Sequence, residues 1–103
     1  MADVLTAAAE PTRRRILQLL ASGPRSVNEV ASEFTSTRSA ISQHLLVLEG
    51  AGLVSAERAG RQRIYRVQPS GLRKLQAEID RFWTDELDQL VADAETLEAR
   101  RNS

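Results

Sequence analysis

The chain of 103 residues has no cysteine and only one histidine, His44. Without thiols it can form neither disulfides nor thiolate metal sites, and it cannot sense redox state through cysteine. A lone histidine also argues against a zinc site, because carboxylates without imidazole or thiolate partners bind transition metals poorly. We therefore expect no bound metal and no other cofactor.

Long apolar runs are also missing. No segment approaches the roughly 18 apolar residues that a membrane-spanning helix needs, and the first residues do not follow the pattern of a secretory signal peptide. We therefore expect a cytoplasmic protein without a membrane partner. An apolar fraction of 42% is ordinary for a globular chain. This length predicts one small domain, residues 1–103, of a size that often gains stability by association.

The residue constellations that catalysis requires are not present either. The chain has no glycine-rich phosphate loop and no paired nucleophile and base. Ser42 is two positions from His44, so on a helix the two side chains project from different faces. We expect no enzymatic activity.

Net charge is zero, but the charges are distributed unevenly. Residues 35–69 contain five arginines and two glutamates, a balance of +3, whereas residues 70–103 contain five basic and eight acidic residues, a balance of −3. Such asymmetry within a small domain is more informative than its total. The middle third is therefore the predicted phosphate-binding region, and the acidic last third is expected to point away from it.

Apolar periodicity, capping residues and helix-stopping residues predict four helices in the first half of the chain. The segments are 3–9, 11–21, one that starts at the capping box Ser26–Glu29, and one from the turn at 35–37 to about Ala51. Two short runs of alternating polarity, 53–59 and 62–67, then predict a two-stranded hairpin around Gly60. A long helix is predicted from Ser70 to about Ala99, and residues 100–103 are expected to fray.

The fourth helix has an apolar rear face and a polar first two turns. Ala40, Ile41, Leu45 and Leu48 recur at helical spacing on the rear face. The polar residues are Thr37, Arg38, Ser39, Ser42, Gln43 and His44. Arg38 can bond guanine O6 and N7, and Gln43 can bond adenine in the same bidentate way. A solvated helix face would explain these residues equally well, but a helix of this kind is also what reading the major groove of DNA requires.

The tip of the predicted hairpin carries three arginines: Arg58, Arg61 and Arg63. Long cationic side chains at such a tip could bind phosphates or enter a minor groove, although a solvated turn also tolerates them. Arg66 could instead pair with an acid in the body. We interpret the three tip arginines as DNA contacts.

Two further groups of polar residues lead to weaker hypotheses. Arg13, Arg14 and Arg15 point in different directions around one helical turn, so we expect a mostly solvated face with at most one phosphate contact. His44 is interpreted as a phosphate contact, or as a hydrogen-bonding group that orients the fourth helix.

An apolar stripe runs along the long last helix. Its main members are Leu72, Leu75, Ile79, Phe82, Trp83, Leu87 and Leu90. The stripe could be an intramolecular core, a cofactor slot or a dimer interface. Because a helix of about 30 residues exceeds the small domain beneath it, we favour a dimer interface that also includes Val4, Leu5 and Ala8.

These residues together resemble the ArsR-type winged helix-turn-helix repressors of bacteria. The similarity runs through EPTRRRILQLL at 10–20, VNEVA at 27–31, SAISQHLLVLEGAGLV at 39–54 and GRQRIYRV at 60–67. RFWTDELDQL at 81–90 is similar to the terminal helix of a subgroup that does not use metal. Metal-sensing members have cysteines where this chain has Ser26 and Asn28, so the resemblance does not extend to a metal inducer.

The resemblance implies a mainly α fold with a small β-hairpin, a winged helix-turn-helix. It implies a DNA-binding core at 10–69 and dimerisation helices at 1–9 and 70–99. We therefore expect a sequence-specific repressor that binds a near-palindromic operator in double-stranded DNA as a homodimer, with its own promoter as one candidate target. The alternative is a winged-helix module that binds another protein, which Leu46 on the fourth helix favours. No pattern identifies a small-molecule inducer.

Overall fold

The computed structural model describes residues 3–102, so the predictions for Met1, Ala2 and Ser103 lie outside the described residues. Helices and three short strands follow one another along the chain. They are α1 (Val4–Ala9), α2 (Pro11–Ala21), β1 (Arg25–Ser26), α3 (Val27–Ala31), α4 (Arg38–Gly50), β2 (Val54–Ala59), β3 (Gln62–Val67), α5 (Pro69–Arg81), a π-helical turn (Phe82–Glu86) and α6 (Leu87–Asn102). The mainly α fold with a small hairpin is confirmed.

The helix starts are set by side-chain caps. Glu10 precedes Pro11, the first residue of α2, and its carboxylate accepts from the Arg13 backbone N–H at 2.9 Å. At α3, Ser26 Oγ accepts from the Glu29 N–H at 3.2 Å and Glu29 Oε1 accepts from the Ser26 N–H at 2.9 Å, so the predicted capping box is present. Thr37 caps α4 by accepting from the Ala40 N–H at 3.1 Å.

The sheet has one strand more than the hairpin predicted from sequence. β2 and β3 pair antiparallel around Gly60, which has a φ of 64° that favours glycine. β1 adds to the other side of β3, with Arg25 opposite Tyr65 and Ser26 opposite Ile64, so β3 is central. The hairpin is therefore hydrogen-bonded to the chain immediately before α3.

One hydrophobic core joins α1, α2, α3, α4 and the base of the sheet. Its members include Ile16, Leu20, Val30, Ile41, Leu45, Leu48, Leu53 and Tyr65. Ile41, Leu45 and Leu48 have no exposed surface, as the rear-face prediction for α4 requires. Burying these side chains stabilises α4 by roughly 1.5–3 kcal/mol each, and it fixes which face of the helix points to solvent.

The C-terminal helix differs from its prediction in two ways. A π-helical turn at 82–86 interrupts it, so one extra residue shifts the apolar stripe between α5 and α6. Residues 100–102, expected to fray, are the last residues of α6. That expectation is wrong because a helix ends where its capping and hydrogen-bonding signals stop it, and no glycine or proline follows Leu87.

The molecule is elongated, with principal extents of 70 × 28 × 25 Å and a radius of gyration of 18.5 Å. A compact chain of this length would have a radius of gyration of about 13 Å. The difference arises from the C-terminal helix, because α6 continues directly from the π-helical turn and its residues 88–102 are exposed.

Candidate nucleic-acid interface

The first two turns of α4 present most of the predicted base-reading residues to solvent. Thr37, Arg38, Ser39 and Gln43 are exposed, and Ser42 is half-buried. Because the opposite face is sealed by the core, this end of α4 is held rigidly while its polar atoms remain available to a ligand.

A groove of about 450 Å³ separates α4 from the sheet. Five of the predicted DNA-contacting residues line it: Arg38, Ser42, Arg58, Arg61 and Arg63. Leu46 lies among them and is 51% exposed, so the groove also has an exposed apolar residue. Thr37, Ser39 and Gln43 are exposed on α4 outside the groove lining. The fold thus brings the helix tip and the hairpin arginines to one surface.

The hairpin arginines differ in how far their charge is already paired. Arg58 Nε donates to the Gly60 carbonyl at 3.3 Å, which is a neutral acceptor. Within residues 3–102, Arg61 has no hydrogen bond or ion pair. Arg63 lies 3.5 Å from Glu49 and 5.8 Å from the centre of the Tyr65 ring. The unpaired positive charge at the hairpin is therefore that of Arg58 and Arg61.

Arg66 pairs with an acid, as the sequence suggested, but the acid is on the hairpin rather than in the body. Its Nη2 donates to Glu57 Oε2 on β2 at 3.4 Å. Glu57, which is next to Arg58 in sequence, is therefore paired with a residue outside the predicted site.

Arg38 is held by a residue that sequence reasoning did not select. Its Nε donates to Asn28 Oδ1 at 2.5 Å, across the turn that joins α3 to α4. Asn28 also lines the groove. A separation of 10 residues along the chain gives no local pattern by which this pair could have been found.

His44 faces the body of the protein rather than the groove. Its Nδ1 lies 3.2 Å from Arg13 Nη1 and 3.8 Å from Glu10 Oε2. A guanidinium can only donate, so Arg13 is the donor in this contact. This contact with Arg13 is consistent with a residue that orients α4, and the phosphate contact of His44 stays a prediction.

Arg13 joins three helices and was missed as a structural residue. Its Nε donates to the Ala7 carbonyl at 2.7 Å, and Nη2 donates to the Thr6 carbonyl at 3.4 Å. Arg13 on α2 therefore links the end of α1 to His44 on α4. The Arg13 backbone N–H is also the main reason that the pKa of Glu10 lies below its usual value.

Arg15 occupies a different surface from Arg13. Its guanidinium carbon lies 4.9 Å from the centre of the Phe34 ring, a cation–π arrangement beside the turn before α4. Arg14 is exposed. The three consecutive arginines thus point in different directions, as predicted.

The model of the bacterial regulatory protein arsR family matches residues 10–56 of this chain. Among curated proteins, the HTH-type transcriptional regulator Rv2034 of Mycobacterium tuberculosis is 47% identical over 78 residues, which are 76% of this chain and 73% of that protein. The chain belongs to the arsR family. Members of this family are DNA-binding transcriptional regulators, so this chain is a regulator and not an enzyme.

Solved structures of this arsR-family fold agree with the winged helix-turn-helix described above. A protein described as a possible transcriptional regulator for arsenical resistance is 58% identical, with a TM-score of 0.80 over 90% of this chain and 97% of its own. Mb0332 of Mycobacterium bovis is described as a homodimeric winged helix-turn-helix DNA-binding domain. It is 33% identical, with a TM-score of 0.64 over 87% of this chain and 75% of its own.

The predicted dimer residues of this arsR-family chain fall into two groups. Val4 and Ala8 are 4% and 8% exposed because they pack into the core of their own chain. These two side chains therefore present little surface to a partner, because in a helix as short as α1 the apolar face packs against its own domain. Leu5, Leu72, Leu75 and Leu87 are half-buried.

The second group is a surface that no part of residues 3–102 covers. Ile79, Phe82, Trp83 and Leu90 are 37%, 39%, 62% and 57% exposed. Val91 and Leu97 continue this surface along α6 at 54% and 66%. We call Ile79, Phe82, Trp83, Leu90, Val91 and Leu97 the exposed stripe.

Two further findings concern metal binding and membrane insertion of this arsR-family chain. Among residues 3–102, no three histidine, cysteine, aspartate or glutamate side chains lie close enough together to bind a metal ion. In the same part of the chain, none of the helices has the length and apolarity needed to cross a membrane.

Proposed function

We propose that this protein is a sequence-specific transcriptional repressor that binds a near-palindromic operator in double-stranded DNA as a homodimer. The observation that carries the proposal is the groove between α4 and the hairpin, which combines base-reading side chains with arginines. Arg58 and Arg61 lie at the hairpin tip without acidic partners within residues 3–102. Arg38 and Ser42 face them from α4.

The hairpin and α4 have different roles in this proposal. Contacts to phosphates position a protein on DNA and give affinity for any sequence, whereas contacts to base edges discriminate between sequences. We assign Arg58 and Arg61 to phosphates, and Arg38 and Gln43 to bases in the major groove. Arg63 has a smaller part, because Glu49 lies 3.5 Å away and offsets its charge.

Dimerisation supplies the symmetry of the operator. The exposed stripe gives α5 and α6 an apolar face that is uncovered within residues 3–102, and a twin copy would cover it. Two α4 helices related by a twofold axis would enter successive major grooves about 34–36 Å apart. A dimer bound across a promoter would exclude polymerase, and the promoter of its own gene is the first candidate.

Footprinting over the upstream region of the gene, followed by titrations on the protected fragment, tests this function. Gln43→Ala should bind matched and mutated operators with more similar affinity, since a bidentate base contact discriminates by about 1–3 kcal/mol. Arg61→Ala should weaken binding to all sequences and lower the slope of log K against log salt by about 1.

Arg101→Ala is the matched control, because it removes the same charge from the last turns of α6 rather than from the hairpin. It should bind like the wild type. Wild-type protein that shows no preference for any upstream sequence would refute the function. Equal binding by Gln43→Ala, Arg61→Ala and the wild type would refute the assignment of the contacts.

A further inference from the structure

The strongest unassigned feature of the groove is the bond between Asn28 and Arg38. Asn28 lies in the first turn of α3, whose start is fixed by the Ser26–Glu29 capping box. Arg38 is the first residue of α4. Both side chains are exposed and line the groove, and the 2.5 Å bond joins Arg38 Nε to Asn28 Oδ1.

The atom that makes this bond matters for what Arg38 can do. A guanidinium has five N–H donors, one on Nε and four on the two terminal nitrogens. With Nε bonded to Asn28, the terminal nitrogens keep all four donors. They are the pair of groups that can bind guanine O6 and N7 together.

The charge of the acceptor matters as well. Arg63, Arg66 and Arg81 are held by the carboxylates of Glu49, Glu57 and Glu78. Within residues 3–102, no carboxylate pairs with Arg38. Asn28 is neutral, so it restrains the side chain without offsetting its positive charge.

We propose that Asn28 is a positioning residue: it holds Arg38 through Nε so that the two terminal nitrogens read one guanine in each half of the operator. This inference rests on the proposed function. Asn28 itself touches no base. Its contribution is to restrict a flexible side chain before DNA arrives, which reduces the entropy lost when the base contact forms.

The test is a double-mutant cycle in the intact protein with Asn28→Ala, Arg38→Ala and the two changes combined. Each guanine of one operator half-site is replaced in turn by 7-deazaguanine, which lacks the N7 acceptor, and binding is titrated. Arg38→Ala should abolish the effect of replacement at one guanine. Asn28→Ala should reduce the wild-type preference at that same guanine by about 3- to 10-fold, the effect of one hydrogen bond.

Three results separate positioning of Arg38 from other roles of Asn28. The combined variant should behave like Arg38→Ala alone, because Asn28 has nothing left to position. Asn28→Asp can accept the same bond, so it should restore the preference at the selected guanine while its charge weakens binding to every sequence. The Arg38 Nε–H resonance of the free protein should shift in Asn28→Ala and return toward its wild-type position in Asn28→Asp.

Other results would overturn the inference. Asn28→Ala could weaken all sequences equally, which would make the bond a helix-to-helix contact only. It could also weaken binding further in the Arg38→Ala background, which would mean that Asn28 touches DNA directly. If the wild type discriminates at a guanine and Asn28→Ala discriminates equally, this inference alone fails. Wild-type protein without sequence preference would remove the proposed function as well.

Discussion

The arginines of this chain have different roles because their side chains meet different hydrogen-bond acceptors. Arg61 has no partner within residues 3–102, and Arg38 has a neutral partner, so both retain their charge for a ligand. Arg63 is close to a carboxylate that offsets its charge. Arg13 is used inside the fold, where its donors satisfy carbonyl groups of α1. A count of arginines therefore overstates the number that can bind phosphate.

Arg13→Ala should destabilise the protein, because it removes the donors that join α1 and His44 to α2. The expected loss in the free energy of unfolding is about 1.5–3 kcal/mol, the range for hydrogen bonds that involve a charged group. Urea denaturation followed by circular dichroism measures it. Arg14→Ala is the control, since Arg14 is exposed one position away and should change stability little. Equal stability of the two variants would contradict the role assigned to Arg13.

At the scale of elements, the helix-turn-helix depends on caps that hold short helices in place. α3 has only five residues, so the capping box supplies much of the local reason for its start. The backbone N–H of Ser26 is the main cause that keeps the pKa of Glu29 below its usual value. The charged form of Glu29 is therefore the form that stabilises the folded state.

Acid should weaken this cap. A carboxylate with a lowered folded-state pKa contributes stability above its unfolded pKa, and the contribution is lost as pH falls through the folded value. Glu29→Gln keeps an acceptor for the Ser26 N–H but does not titrate. The melting temperature should therefore fall less for Glu29→Gln than for the wild type between pH 6 and about pH 3. If the melting temperatures of the two proteins fall equally with pH, the charge of Glu29 does not contribute to the pH dependence of stability.

The junction between α4 and α5 depends on a close contact of two glycines. A Cβ on Gly71 would lie 1.9 Å from the Gly52 carbonyl oxygen, so Gly71→Ala must displace α5. The expected cost is about 1–3 kcal/mol in unfolding free energy. Gly50→Ala is the matched control, because a Cβ there meets nothing within 4 Å and α4 would gain a better helix former. A Gly71→Ala protein as stable as Gly50→Ala would contradict this packing.

Elements with local signals were predictable from the sequence, and those set by distant partners were not. Pro11, the Ser26–Glu29 box and Gly60 marked their elements because each acts within a few residues. β1 was missed because two residues carry no periodicity, and only pairing with β3 makes them a strand. The π-helical turn was missed for a similar reason, since apolar spacing of three and four residues fits a regular helix equally well.

In the candidate site, too, features with a local sequence signal were predictable and contacts between distant residues were not. The polar tip of α4 and the hairpin arginines were visible because each is a cluster in sequence. The Asn28–Arg38 and Arg13–His44 bonds join residues 10 and 31 positions apart, so only the folded chain brings them together. Their effect is on orientation, which composition and spacing do not describe.

At the scale of the whole molecule, the C-terminal helix extends well beyond the domain to which it is attached. Residues 88–102 of α6 are all exposed, and an isolated helix of this length is only marginally stable in water. Its apolar side chains therefore need a partner surface. The proposed twin copy supplies one, and it makes folding of α6 depend on association.

Trp83→Glu should convert the dimer to monomer, because it places a charge in the exposed stripe, while the domain stays folded. Trp83 is 62% exposed in the single chain, so the core does not depend on it. Sedimentation equilibrium should give half the wild-type mass. The core domain should still melt cooperatively, and operator affinity should be at least 10-fold lower, the effect of losing linked half-site binding.

Thr84→Glu adds the same charge at the next residue, outside the stripe, and should remain dimeric. A dimeric Trp83→Glu protein would mean that the exposed stripe is not the interface. A Trp83→Glu protein that is monomeric but binds the operator as the wild type does would separate dimerisation from DNA recognition.

The central position of β3 has a mechanical consequence. β1 pairs with one edge of β3 at Ile64 and Tyr65, just ahead of α3, and β2 runs along its other edge, so the base of the hairpin is hydrogen-bonded on both sides. We therefore expect the distance between the arginine-bearing tip and the tip of α4 to change little when a ligand binds. In the proposed function, this would favour a duplex whose local width already matches that distance.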